Sequence, residues 1–263
     1  MRKRSEYGFS IVEAVIVVLV LLLIAGGCYV VFSKQNRDSA LNASQRPDDN
    51  TALSAKPQLQ NWPVKIEDLN SSTRLAGDVY MDDQVLINDA TDLAEQPVME
   101  FGRARLGTQT VNSSIDFLTR ANAPVYSVSN GYVLSVERKQ TQGRDDYEVR
   151  ISLTKTKASQ WLIVYKYVTS VSVAKGDAIA AGDRIGTAAP YGSGQPFSMV
   201  GLQITYKAEP RCPTGLIASG AEGRMKEQFL LLTKAWESQS VNGGAYNEPA
   251  WTRLGCMADK VKP

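Results

Sequence analysis

The chain has 263 residues, with 29 Lys+Arg, 27 Asp+Glu, three cysteines and no histidine. The missing histidine excludes Ser-His-Asp and Cys-His catalysis, histidine-based zinc sites and a histidine pH switch, because imidazole is the usual base and ligand near neutral pH; three cysteines cannot build a four-cysteine zinc site either. Arg2, Lys3, Arg4 and Glu6 account for the formal charge of +2, and taking those three basic and one acidic residues away leaves 26 of each sign, so the body is neutral and no nucleic-acid partner is expected.

The first predicted element is a membrane anchor. Residues 1–8 are short and basic, and an apolar run of 24 residues extends from Phe9 to Phe32. As a helix this run is about 36 Å long, enough for a hydrocarbon core of roughly 30 Å. It is too long for the apolar part of a secretory signal, and no clean small-x-small cleavage site follows it. The basic cluster places the N-terminus in the cytoplasm and the body outside. Glu13 lies inside the run, where a carboxylate costs about 2.5–3.5 kcal/mol at a helix centre and less near its end. It either snorkels to the interface or has a function. Basic leader, Gly8, Phe9 and then Glu13 together resemble the leader of type IV prepilins and pseudopilins. That resemblance covers residues 1–32. It implies cleavage after Gly8 by a prepilin peptidase, N-methylation of Phe9, and a role for Glu13 as the intramembrane acid that pairs with a neighbouring subunit during assembly.

Residues 34–75 are rich in Ser, Asn and Gln and contain Pro47, Pro57 and Pro63, which read as a flexible linker. About 40 such residues span roughly 35 Å. A major pilin built on one long rigid helix does not fit this break; a minor subunit or a tethered periplasmic protein does.

From residue 76 to 206 the pattern is that of a mainly β domain with an antiparallel sheet. Strands are predicted over 79–81, 84–87, 125–128, 132–136, 147–153, 161–168, 178–180, 184–188 and 199–206. Ser129-Asn130-Gly131 reads as the turn of a hairpin between the third and fourth of these. In the C-terminal extension, 207–263, apolar residues at Met225, Phe229, Leu232 and Trp236 predict a helix over Glu222–Gln239 that packs on the sheet. Cys212 and Cys256 flank this segment, and Cys28 belongs to the anchor. An oxidising compartment favours a Cys212–Cys256 disulfide; two free thiols, or half of a zinc site, are the alternatives.

Six pieces in order give a second resemblance. Phe101-Gly102-Arg103 is followed by Asn112-Ser113-Ser114-Ile115-Asp116-Phe117, then Ala123-Pro124-Val125-Tyr126-Ser127 with Ser129-Asn130-Gly131-Tyr132-Val133. Tyr165-Lys166-Tyr167 comes next, then the stretch from Ser172 to Asp177 with Gly182-Asp183-Arg184-Ile185-Gly186, and last Gly201-Leu202-Gln203-Ile204-Thr205-Tyr206. This order resembles the lysostaphin/LytM-type zinc endopeptidases and implies their β-fold over about residues 99–206. The Gly-Asp pieces also occur in lipoyl domains, but the modified lysine of those domains has no counterpart here. The resemblance puts the family's metal ligands at Asn112, Asp116 and Gln203, and its two further catalytic histidines at Tyr167 and Gly201. Only Asp116 keeps the family's residue type. Zinc takes imidazole, thiolate and carboxylate donors, and without it no water is activated near neutral pH. The domain is therefore expected to have no metal, no cofactor and no catalytic residue. Asn112, Asp116, Tyr167, Gly201 and Gln203 would line a degenerate cleft, with Asp116 otherwise an acid that closes a turn by hydrogen bonding.

Two functions follow as expectations. One is a non-catalytic, pilus-associated protein anchored in the bacterial inner membrane, or incorporated in a pilus, whose peptidase-like domain binds pilus subunits, peptidoglycan or another protein. The other is a tethered activator of peptidoglycan hydrolases or amidases, or a peptidoglycan-binding protein unrelated to pili.

Overall fold

The structure, a computed structural model, describes residues 55–82, 96–104, 110–141, 144–155, 159–192, 194–239 and 246–262. The expected leader and anchor (with Gly8, Phe9 and Glu13), residues 34–54 of the expected linker and the expected strand 84–87 lie outside them. Among the described residues no helix is long and apolar enough to cross a membrane.

The described residues form thirteen strands: β1 (Leu69–Asn70), β2 (Leu75–Ala76), β3 (Val79–Tyr80), β4 (Val98–Met99), β5 (Ile115–Arg120), β6 (Pro124–Tyr126), β7 (Gly131–Thr141), β8 (Arg144–Ser152), β9 (Trp161–Thr169), β10 (Ala178–Ile179), β11 (Arg184–Pro190), β12 (Phe197–Tyr206) and β13 (Glu209–Arg211). Every strand pairing is antiparallel. The centre of the sheet runs β5–β12–β9–β8–β7, with β12 held between β5 and β9. Successive side chains of a strand point to opposite faces of the sheet. Along β12, Val200, Leu202 and Ile204 face the core, where they meet Phe117, Ile115, Tyr165 and Ile163 of the neighbouring strands. Tyr165 is fully buried; its hydroxyl accepts a 2.7 Å hydrogen bond from the Val128 amide, and burial pushes its pKa up to about 12.

The expected helix is present as α1 (Glu222–Gln239), with Met225, Phe229, Leu232 and Trp236 all buried. The disulfide joins Cys212 to Cys256. Both belong to the C-terminal segment that closes the domain edge: Phe101 donates to the Gly255 carbonyl, Met257 donates to the Phe101 carbonyl, and Cys212 donates to that of Asp259.

Three expectations are corrected. Residues 55–75 are packed rather than linker-like. Leu59, Trp62, Val64 and Ile66 are buried, and the Trp62 ring lies 5.7 Å from Phe117 of the sheet and 5.3 Å from Phe229 of α1. This strap lies between sheet and helix, so its apolar residues gain more from burial than the prolines and polar neighbours suggest. The hairpin across Ser129-Asn130-Gly131 does not form either. β6 pairs with β11, whereas β7 pairs with β8 and β10. Local bonds redirect the chain: Ser127 Oγ donates to the Ser129 carbonyl, and Asn130 Oδ1 accepts from the Ala181 amide. Finally, β5 was not among the expected strands, and Asp116 sits within it rather than at a turn.

Candidate functional site

The site is the place where β5, β12 and β9 run side by side. Asp116 of β5 is paired with Gly201 of β12, and Gly201 is paired in turn with Lys166 of β9. Directly opposed residues in an antiparallel pair project to one face, so these three positions form a row on the face opposite Ile115, Leu202 and Tyr165. Met99 of β4 extends the row beyond Asp116. Gln203, two residues after Gly201, stands on the same face opposite Val164.

Glycine is required in the middle of this row. A Cβ at position 201 would overlap Asp116 Oδ1 and lie 3.4 Å from Lys166 Cβ. The aspartate carboxylate therefore leans over bare backbone. Asp116 is buried, with 1% of its surface exposed, which makes its charge costly unless cations or donors surround it.

Asn112 precedes this row. Its backbone amide donates to the Arg103 carbonyl and its carbonyl accepts from the Gly102 amide. Its side-chain amide donates to the Met99 carbonyl at 3.4 Å, and its Oδ1 accepts from Ser114 Oγ at 3.3 Å. Asn112 is thus a buried structural amide that ties residues 99–103 to the start of β5. Lys166 reaches the same stretch: its ammonium donates to Ser113 Oγ at 3.1 Å.

Tyr167 has a backbone φ of +59°. It lies in a β-bulge, because Tyr147 pairs with Val168 and Val149 with Tyr165, so that Lys166 and Tyr167 together oppose Glu148. Its ring packs against the hydrophobic core. The structure thus brings Asp116, Gly201 and Gln203 onto one face with Asn112 beside them, and places Tyr167 at the bulge, partly buried against the core. Lys166 is the residue of this row that the sequence reading did not single out. Its place between Tyr165 and Tyr167, inside a motif already singled out, was the available signal.

The donor chemistry does not fit a zinc ion. One carboxylate is joined by a neutral amide already used in hydrogen bonding, a second neutral amide and a glycine, and zinc sites use imidazole, thiolate and carboxylate donors in sets of three or four. Among the described residues no group of three or more Cys, Asp and Glu side chains is placed to hold a metal.

Comparison with known proteins gives this arrangement a family context. Residues 110–210 match Peptidase family M23. No curated protein shows significant similarity to the chain. Among solved structures the chain is similar to a zinc-containing peptidase from Vibrio cholerae (17% identity, 59% of this chain, 39% of that one, TM-score 0.36). It is also similar to Helicobacter pylori Csd3 (21% identity, 57% and 42%, TM-score 0.36) and to the SpoIIQ–SpoIIIAH pore-forming complex (18% identity, 62% and 93%, TM-score 0.37). The match spans 39% and 42% of the length of the first two. Residues 110–210 accordingly match Peptidase family M23, within a longer β-structured chain.

Proposed function

We propose that the chain is a non-catalytic, membrane-anchored envelope protein associated with type IV pili, as a minor pilin-like subunit or an assembly or stability factor, and that its M23 domain acts as a binding module. The observation that carries the non-catalytic part is the substituted row on one sheet face. Asp116 stands beside Gly201 and Lys166, with Gln203 and a hydrogen-bonded Asn112 nearby, where hydrolysis would need a metal and its bound water. The register of Gly8, Phe9 and Glu13 in the sequence supports the anchoring and pilus part. Mass analysis of the mature N-terminus tests it: the expected species begins with N-methylated Phe9, and a chain that keeps residues 1–8 would contradict it.

The M23 match also favours a second reading, a tethered regulator of peptidoglycan hydrolases or a peptidoglycan-binding protein unrelated to pili. Retention of residues 47–263 on purified sacculi addresses wall binding. The fragment starts ahead of the strap because Leu59, Trp62, Val64 and Ile66 belong to the core. Retention above that of a neutral control protein is expected if the wall is the ligand, and none is expected if the partner is a pilus subunit.

A further inference from the structure

The two edges of β7 differ. Along one edge β7 pairs with β8. A bulge at Leu134 separates Val133, opposite Ile151, from Ser135, opposite Arg150, and from there the pairing is regular to Thr141. Along the other edge β10 covers Gly131 and Tyr132, and the Val133 backbone exchanges hydrogen bonds with Asp177 and Gly176. Past Val133, no strand among the described residues pairs with that edge, and no backbone group bonds to it. Residues 135–141 therefore present an open edge about 23 Å long. Such an edge offers a row of N–H and C=O groups to another strand, and its side chains decide which strand fits.

Val136 packs against the core, so by alternation Glu137 and Lys139 stand on the opposite face. Both are partly exposed, and the lysine donates to the glutamate at 2.9 Å, with Arg150 of β8 3.3 Å from the same carboxylate. Arg138, between them, pairs with Asp145 of β8. A row of one sign would repel a copy of itself, but this row alternates. In a two-fold antiparallel pairing centred on Arg138, Glu137 of each copy lies directly opposite Lys139 of the other, giving two cross-strand pairs of opposite charge. At the centre Arg138 meets its own counterpart, each with an Asp145 carboxylate beside it. Moving the centre by one residue either way opposes Glu137 to Glu137 or Lys139 to Lys139, so charge selects one register. We propose that the open edge of β7 is a self-association surface, on which a second copy of this chain adds its own β7 in antiparallel register centred on Arg138. The inference does not depend on whether residues 110–210 hold a metal.

Cysteine crosslinking of the full chain tests it, in membranes of cells that express it and in a Cys28→Ser background. Opposed residues of an antiparallel pair have Cα atoms about 4.5–5.5 Å apart, within the span of a disulfide. Arg138→Cys should therefore give a disulfide-linked dimer on mild oxidation. Gln140→Cys would stand opposite residue 136, about 13 Å along the strand from its own counterpart, and should give little. Adding Glu137→Lys to Arg138→Cys opposes like charges and should remove most of the dimer. Adding Lys139→Glu as well restores opposite charges and should restore the product, which separates loss of pairing from loss of folding. No dimer from Arg138→Cys, equal yields at positions 138 and 140, or no rescue by the charge swap would overturn the proposal. Arg138→Cys found only in mixed disulfides with another protein would overturn it too, by assigning the edge to a foreign strand.

Discussion

Replacing Trp62 by alanine is expected to destabilise the domain by about 3–5 kcal/mol, the range for truncating a buried large aromatic. Trp62 is 2% exposed, touches Phe117 of the sheet and Phe229 of α1, and donates its indole N–H to the Met225 carbonyl at 3.0 Å. It is the residue through which the strap joins both layers. Against a total stability of about 5–15 kcal/mol, the loss leaves a variant near its unfolding threshold. Trp62→Phe retains most of the ring contact and loses the hydrogen bond, so it should cost much less. Equilibrium denaturation of both variants checks this. A Trp62→Ala protein with an unchanged midpoint would mean that the strap is dispensable. The same packing predicts that a chain beginning at residue 76 fails to fold.

Removal of the disulfide is the second large effect. Cys212 and Cys256 are 44 residues apart in sequence and both are buried. In the chain-entropy description, closing a loop of that size contributes roughly 4 kcal/mol. The bridge also holds the C-terminal segment against residue 101, where the backbone bonds between Phe101 and residues 255 and 257 lie next to those that Gly102 and Arg103 make with Asn112. The Cys212→Ala/Cys256→Ala protein should therefore unfold at a clearly lower denaturant concentration. The same midpoint with and without a reductant, in a protein shown by thiol titration to be reduced, would contradict this.

The elements that were legible are those with one buried face. β8 alternates over 147–153, β9 is apolar through its first half, and α1 carries its apolar residues three and four apart, so pattern located them. β5 gave no such signal, because every residue from Ile115 to Thr119 is buried, including the polar Asp116 and Thr119. Only its motif marked it. The strap was hidden by Pro57 and Pro63 and their polar neighbours, although Trp62, Val64 and Ile66 do alternate. The Ser129-Asn130-Gly131 turn has hairpin chemistry, but β6 finds a better partner in β11, and nonlocal pairing overrides a local turn preference. At the site, residue identities announced the missing zinc donors. They did not announce that Gly201 vacates the space between Asp116 and Lys166, because that depends on which three strands lie side by side.

We propose that the M23-like segment holds no zinc. Elemental analysis of the full chain after incubation with zinc and removal of free ion tests it most directly. The expected result is zinc well below one ion per chain, with no change in the amount on Asp116→Asn. One zinc per chain, lost on that substitution, would contradict it.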